Sequence, residues 1–315
     1  MGPPSSFGAM ATSASTPPAA SVGIPSPSTL VELLKPITWF APMWAFACGV
    51  VSSGMAAEGR WPLIVAGIVL AGPLVCATSQ AVNDWYDRHV DAINEPHRPI
   101  PSGRMPGRWG FYVALAWTVL SLAVAAALGP WILGAALFGL ILAWIYSAPP
   151  LRLKRNGWWG NAAVGLCYEG LPWFTGAAVM AGALPDHRIL IVAFLYSIGA
   201  HGIMTLNDFK SVEGDERMGL RSLPVQLGTD RAARLACLVM TLPQLIVILF
   251  LSFWDCVGHA AGIAALLVAQ LLLMSRLLKS PRERAAWYNG TGTTLYVLGM
   301  LVAAFALRAL VQGAA

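Results

Sequence analysis

Nine apolar runs, each long enough to cross a bilayer, divide the sequence between about residues 37 and 311. They cover roughly 37–55, 62–82, 109–128, 131–148, 161–182, 189–207, 234–253, 258–275 and 293–311. Clusters of Pro, Gly and charge separate them. A backbone in lipid has to satisfy its own polar groups, so such runs fold as helices. The short alternating strands of a membrane barrel are absent. The expected fold class is therefore all-α, a polytopic membrane protein built as a bundle of about nine transmembrane helices. Composition agrees, with 57% hydrophobic and 11% charged residues. A soluble domain carries about 25% charged residues. No nucleic-acid partner is expected.

Residues 1–28 are mostly Pro, Ser, Ala and Gly without a charged side chain, and read as a disordered tail ahead of a membrane domain over 29–315. The tail has neither the basic start nor the apolar core of a signal peptide. It also lacks the Arg of an organelle transit peptide, so a bacterial origin is expected. Cys48, Cys76, Cys167, Cys237 and Cys256 are scattered, with no C-x-x-C pair, and read as packing residues.

Charge sets the orientation. Of 20 Lys and Arg residues, 17 fall in the N-terminal flank and in the segments after runs two, four, six and eight. Only Arg60, Arg188 and Arg308 lie on the other side. The positive-inside rule makes that majority side cytoplasmic. The expected location is a bacterial inner membrane, cytoplasmic or intracytoplasmic, crossed several times, with the active site facing the cytoplasm.

The acids are concentrated too. Seven of the 15 lie in two short windows. Asp84, Asp87 and Asp91 close the second run at spacings i, i+3 and i+7, which puts them on one helix face. Asp208, Glu213, Asp215 and Glu216 follow the sixth run. Both windows open on an Asn-Asp pair, Asn83-Asp84 and Asn207-Asp208, a faint internal repeat. Carboxylates stacked at a membrane helix end repel one another unless a cation offsets them. Mg²⁺, with Mn²⁺ as the alternative, takes carboxylate and phosphate oxygens, so two facing acidic ends suit a diphosphate. Asp84, Asp87, Asp91, Asp208 and Asp215 are the candidate metal ligands. Of these, Asp84, Asp87, Asp208 and Asp215 are the candidate catalytic residues.

Cations accompany them. Pro96, Pro99 and Pro101 stiffen the loop that carries Arg98 and Arg104. Arg grips diphosphate oxygens in a bidentate way. After Pro149-Pro150 stops the fourth run, Arg152, Lys154 and Arg155 follow, and Lys154 is the preferred phosphate contact. Arg98, Arg104, Lys154, Asn83 and Lys210 are the candidate diphosphate-binding residues. These parts fit ionisation of an allylic diphosphate, with the membrane interior holding the tail and excluding water.

The strings NDWYDRHVDAINEPHRPIPSGR, YSAPPLRLKRNGWWGN and NDFKSVEGDERMGLRSLPVQLG, with LLKPITWFAPMWAFACG at Leu33–Gly49, resemble the UbiA superfamily of intramembrane prenyltransferases. Within it they are similar to the chlorophyll synthase branch, from about residue 30 to the end. The resemblance implies esterification of a bacteriochlorophyllide propionate with a geranylgeranyl or phytyl group from its diphosphate. It also implies contact with membrane lipid and with other pigment enzymes, a geranylgeranyl reductase among them. Chlorophyllide, an aromatic ring or haem are alternative acceptors, and a pigment-assembly or transport protein is the alternative outside catalysis. The superfamily's second motif is usually D-x-x-x-D; here those positions are Ser211 and Asp215, so Asp208 is expected to stand in on the same helix face. His201, seven residues before Asp208, and Tyr146 are candidate acceptor contacts, although for His201, which could ligate the pigment's central Mg or orient the acceptor, a satisfied core histidine is the favoured reading. Glu169 sits alone amid apolar residues and is expected to be paired or protonated.

Overall fold

The computed structural model of the chain describes residues 23–313. Most of the expected tail, residues 1–22, lies outside the described residues. The first helix, Pro27–Leu34, starts behind Ser26, whose hydroxyl accepts the Thr29 N–H. Among the described residues all regular elements are helical apart from one isolated bridge, Asn156 to Arg221.

Among the described residues, seven helices are long and apolar enough to cross a membrane: Trp61–Asn94, Trp109–Leu128, Pro130–Ser147, His187–Lys210, Thr229–Phe253, Val257–Leu277 and Pro281–Val311. Pro27–Thr38 and Phe40–Ser52, bent by 57° from one another, are together long and apolar enough for an eighth if the pair is one span. Residues 157–181 form one further continuous helix, made less apolar by Asn161 and Glu169. The chain is an integral, multi-pass membrane protein, and the expected count of nine is approximate. Helix ends overrun the apolar runs where acids or Gly do not break the ladder. Trp61–Asn94 continues through all three acids of the first motif, and the last helix starts at Pro281 rather than near 293.

Packing places His187–Asn207 at the centre, against Thr229–Phe253, Pro281–Val311 and residues 157–181. Trp173 stacks on Tyr196 at 5.7 Å between ring centroids, and Tyr296 meets Tyr196 edge-on at 5.2 Å. The Tyr296 hydroxyl donates to the Tyr196 carbonyl at 2.7 Å. Phe40–Ser52 and Leu171–Ala181 approach through Gly49 and Gly176. A Cβ on Gly176 would lie 2.1 Å from the Phe46 carbonyl oxygen, so only Gly permits this spacing. On the other flank, Trp61–Asn94 packs against Trp109–Leu128 and Pro130–Ser147.

Two helices widen into π turns, at Leu70–Cys76 and Leu166–Gly170. Pro73 explains the first. It has no N–H, and its ring crowds the carbonyl one turn back, so the ladder loosens around it. The Trp117 indole N–H donates to the Pro73 carbonyl at 3.0 Å. Both π turns face the cavity described next, as is common for such bulges.

Candidate active site

Because Trp61–Asn94 is unbroken, the first motif forms a single carboxylate face. Asp84 is 2% exposed and Asp91 7% exposed. The chain supplies each acid with a cation. Lys35 Nζ donates to Asp84 Oδ1 at 2.6 Å, and Arg98 Nη1 lies 2.9 Å from Asp91 Oδ2 and 3.7 Å from Asp84 Oδ1. Asp87 is held from its other side by Arg152 at 2.9 Å and Lys154 at 2.5 Å. Lys154 Nζ and Asn83 Nδ2 both donate to Ser147 Oγ at 3.2 Å. Burial pulls the Lys154 ammonium below its usual range, and Asp87 pulls it part of the way back. Asp84 Oδ2 is buried with no hydrogen-bond partner.

The second motif departs from expectation in its backbone. The helix ends at Asn207, one tight turn covers Asp208–Lys210, and a new helix, Val212–Arg217, follows Ser211. Asp208, Ser211 and Asp215 therefore do not share one continuous helix face. Asn161 Nδ2 donates to Asp208 Oδ2 at 3.2 Å. Ser211 Oγ lies 3.0 Å from Asp215 Oδ2, and its hydroxyl supports that carboxylate. Burial pushes the Asp215 carboxyl above its usual range, opposed by hydroxyl hydrogen bonds. Glu213 turns outward to Arg282 at 2.5 Å, and Glu216 is exposed.

A cavity of about 780 Å³ reaches both motifs through their Asn residues, while Asp84, Asp87, Asp91, Asp208, Asp215, Arg98 and Lys154 are not part of its lining. Asn83 and Asn207, the first residue of each Asn-Asp pair, both line it, as do Tyr146 and Lys210. Lys154 Nζ stands 6.0 Å from the Tyr146 ring centroid. Toward the bilayer interior the walls are mainly apolar, with Leu70, Ala71, Val75, Ala135 and Leu171 among them.

Two expected contacts lie elsewhere. Arg104 forms a two-pronged pair with Glu32, at 2.5 and 2.7 Å, and donates to the His97 carbonyl, so it braces the loop against the first helix. His201 does not line the cavity; its ring lies 6.0 Å from that of Trp158. Conversely, the structure adds Lys35 as a partner of Asp84 and settles Arg152 on Asp87. Both residues have left-handed backbones, with φ of 48° and 39°. Such a backbone costs a non-glycine residue about 1 kcal/mol or more, a strain that clusters at functional sites. A lone Lys before Pro36 at the head of the first span was the signal available in sequence.

The donor chemistry suits a hard divalent cation: clustered carboxylates, one with an uncommitted oxygen at Asp84 Oδ2. Among the described residues no three His, Cys, Asp or Glu side chains converge tightly enough to hold a metal unaided. Oxygens from a bound diphosphate and water complete such a site where one or two carboxylates are available.

Comparison with known proteins agrees with this geometry. The pattern of the UbiA prenyltransferase family matches residues 41–298. The "Bacteriochlorophyll synthase 33 kDa chain" of Cereibacter sphaeroides is 62% identical over 91% of this chain and 95% of its own length. The protein of the same description from Rhodobacter capsulatus is 54% identical over 90% and 95%. A solved UbiA homolog from Archaeoglobus fulgidus, bound to DMAPP and Mg²⁺, shares the fold at a TM-score of 0.65 and 21% identity, covering 85% of this chain and 99% of its own. With the family pattern matched over residues 41–298 and relatives 62% and 54% identical along most of their length, the chain belongs to the UbiA prenyltransferase family.

Proposed function

We propose that the chain esterifies the propionate of bacteriochlorophyllide with a geranylgeranyl or phytyl group taken from the prenyl diphosphate. The observation that carries this reading is one cavity lined by the Asn of each Asn-Asp pair, with mainly apolar walls within. The relatives described as bacteriochlorophyll synthase support the choice of acceptor.

Asp84, Asp87 and Asp91 on one side, with Asp208 and Asp215 on the other, would hold Mg²⁺. The metal's contribution is Lewis-acid neutralisation of the departing diphosphate. The chain's own residues do the rest. Lys35, Arg98, Arg152 and Lys154 already surround the first motif and would share their hydrogen bonds with diphosphate oxygens. Lys210, at the opposite rim, adds a cation to the same space. The allylic C–O bond breaks with its electron pair leaving on the diphosphate, and an acceptor carboxylate oxygen forms the new C–O bond. A propionate with an ordinary pKa near 4 is already ionised at neutral pH, so no strong base is required. The apolar walls keep water from capturing the allylic cation.

The positive-inside distribution supports a rim open to the cytoplasm of a bacterial inner membrane. The test is turnover by purified protein in nanodiscs, offered bacteriochlorophyllide and chlorophyllide with each of the two diphosphates. The expected result is ester formed preferentially on bacteriochlorophyllide. Preference for chlorophyllide, or no ester at all, would overturn the reading.

A further inference from the structure

Glu169 has no role in the diphosphate chemistry, yet it is buried in the bilayer interior at 4% exposure. Its Oε2 atom has no hydrogen-bond partner, and among the described residues no basic side chain is paired with the carboxyl. An ionised carboxylate is very costly in such surroundings, so the group acts as a neutral acid with an O–H to donate. It does not stand alone. Asn289 Oδ1 and Thr293 Oγ1 are also closed off and unpartnered. All three residues line the same cavity that Asn83 and Asn207 reach.

The two helices bring them to neighbouring levels. Gly170, next to Glu169, abuts Ser197 so closely that a Cβ there would lie 2.3 Å from its hydroxyl. Tyr296 reaches the carbonyl of Tyr196, the residue before Ser197. Thr293 lies about one turn from Tyr296 on the side of the acidic rim, and Asn289 about one turn further. The cavity thus has two kinds of wall. Leu70, Ala71, Val75, Ala135 and Leu171 offer nothing to a polar ligand. The wall of Glu169, Asn289 and Thr293 offers hydrogen-bonding atoms that the protein leaves unused. Buried polar atoms are normally paired, and exceptions call for a specific explanation. A hydrocarbon tail would leave them unsatisfied, whereas a ligand carbonyl oxygen would accept from the Glu169 and Thr293 hydroxyls.

We infer that Glu169 and Thr293, with Asn289 beside them, form the subsite for the acceptor, the two hydroxyls donating to a carbonyl oxygen on its ring periphery, while the prenyl tail takes the apolar wall. The inference rests on the proposed reaction and adds which wall selects which substrate. Loss of one such hydrogen bond should weaken acceptor binding about tenfold.

The experiment measures KM for bacteriochlorophyllide and for geranylgeranyl diphosphate separately, in wild type and in Thr293→Val, Asn289→Leu, Glu169→Leu and Glu169→Gln. Thr293→Val is nearly isosteric and guards against misfolding of the Glu169 variants. Acceptor KM should rise about tenfold in Thr293→Val and Glu169→Leu. Glu169→Gln, which keeps a donor, should recover most of the loss. The diphosphate KM should stay within about twofold throughout, which also reports intact folding. A rise in diphosphate KM alone would place the donor on this wall and overturn the assignment, as would unchanged values for both substrates. Pigment binding without diphosphate is read from quenching of tryptophan fluorescence. Absence of both binding and turnover in wild type would refute the proposed reaction. Wild-type binding that Thr293→Val and Glu169→Leu leave untouched would refute the subsite alone.

Discussion

Asp84 commits one oxygen to Lys35 and leaves the other without a partner, while Asp87 is shared by Arg152 and Lys154. Neutralising either acid removes charge from the face that the diphosphate must meet. Asp84→Asn and Asp87→Asn should each reduce turnover by about 10²-fold or more, the scale of losing a few kcal/mol of transition-state stabilisation. The check is kcat in variants that still insert and elute as monodisperse protein; wild-type rates would make these acids structural. At the second motif, Asp208→Asn should be severe and Ser211→Ala mild. Ser211 acts through one hydrogen bond to Asp215, worth about 1 kcal/mol, or roughly fivefold. Glu216 is exposed and should tolerate Gln. Turnover with Mg²⁺ titrated into each variant decides this: a crippled Ser211→Ala beside a near-normal Asp208→Asn would reverse the roles. What sequence spacing could not supply was the break after Asn207, which depends on backbone geometry around Ser211. Nor could it show that Arg104 spends both prongs on Glu32, 72 positions away.

At the scale of elements, hydropathy revealed the spans because lipid imposes one solution on every apolar run. Seven of the nine expected runs correspond to crossing helices, and Phe40–Ser52 and residues 157–181 account for the others. The ends were less legible. Charged residues continue a helix as readily as they end it, so Trp61–Asn94 carries its acids outward without a break. The π turns left one trace, Pro73, and the turn around Glu169 left none. Close approach of Phe40–Ser52 to Leu171–Ala181 rests on Gly49 and Gly176. Gly176→Ala should cost about 1–3 kcal/mol, because the added methyl meets backbone that cannot move aside. Thermal melting in detergent should show a lowered midpoint, and an unchanged midpoint would contradict the packing described.

For the whole molecule, the two halves of the bundle each place the Asn of one Asn-Asp pair on a common cavity, so neither half should bind the diphosphate tightly alone. Removing divalent metal should abolish turnover, with recovery on adding Mg²⁺ or Mn²⁺; full activity in chelated buffer would refute a metal-assisted site. The central claim, that Asp84 and Asp208 act on one diphosphate, is tested most directly by a binding cycle. Affinity for geranylgeranyl diphosphate is measured with Mg²⁺ in wild type, Asp84→Asn, Asp208→Asn and the double variant. Residues acting through one bound ligand should show a coupling of about 1 kcal/mol or more. Additive losses, agreeing within about 0.5 kcal/mol, would mean that the two motifs serve separate sites.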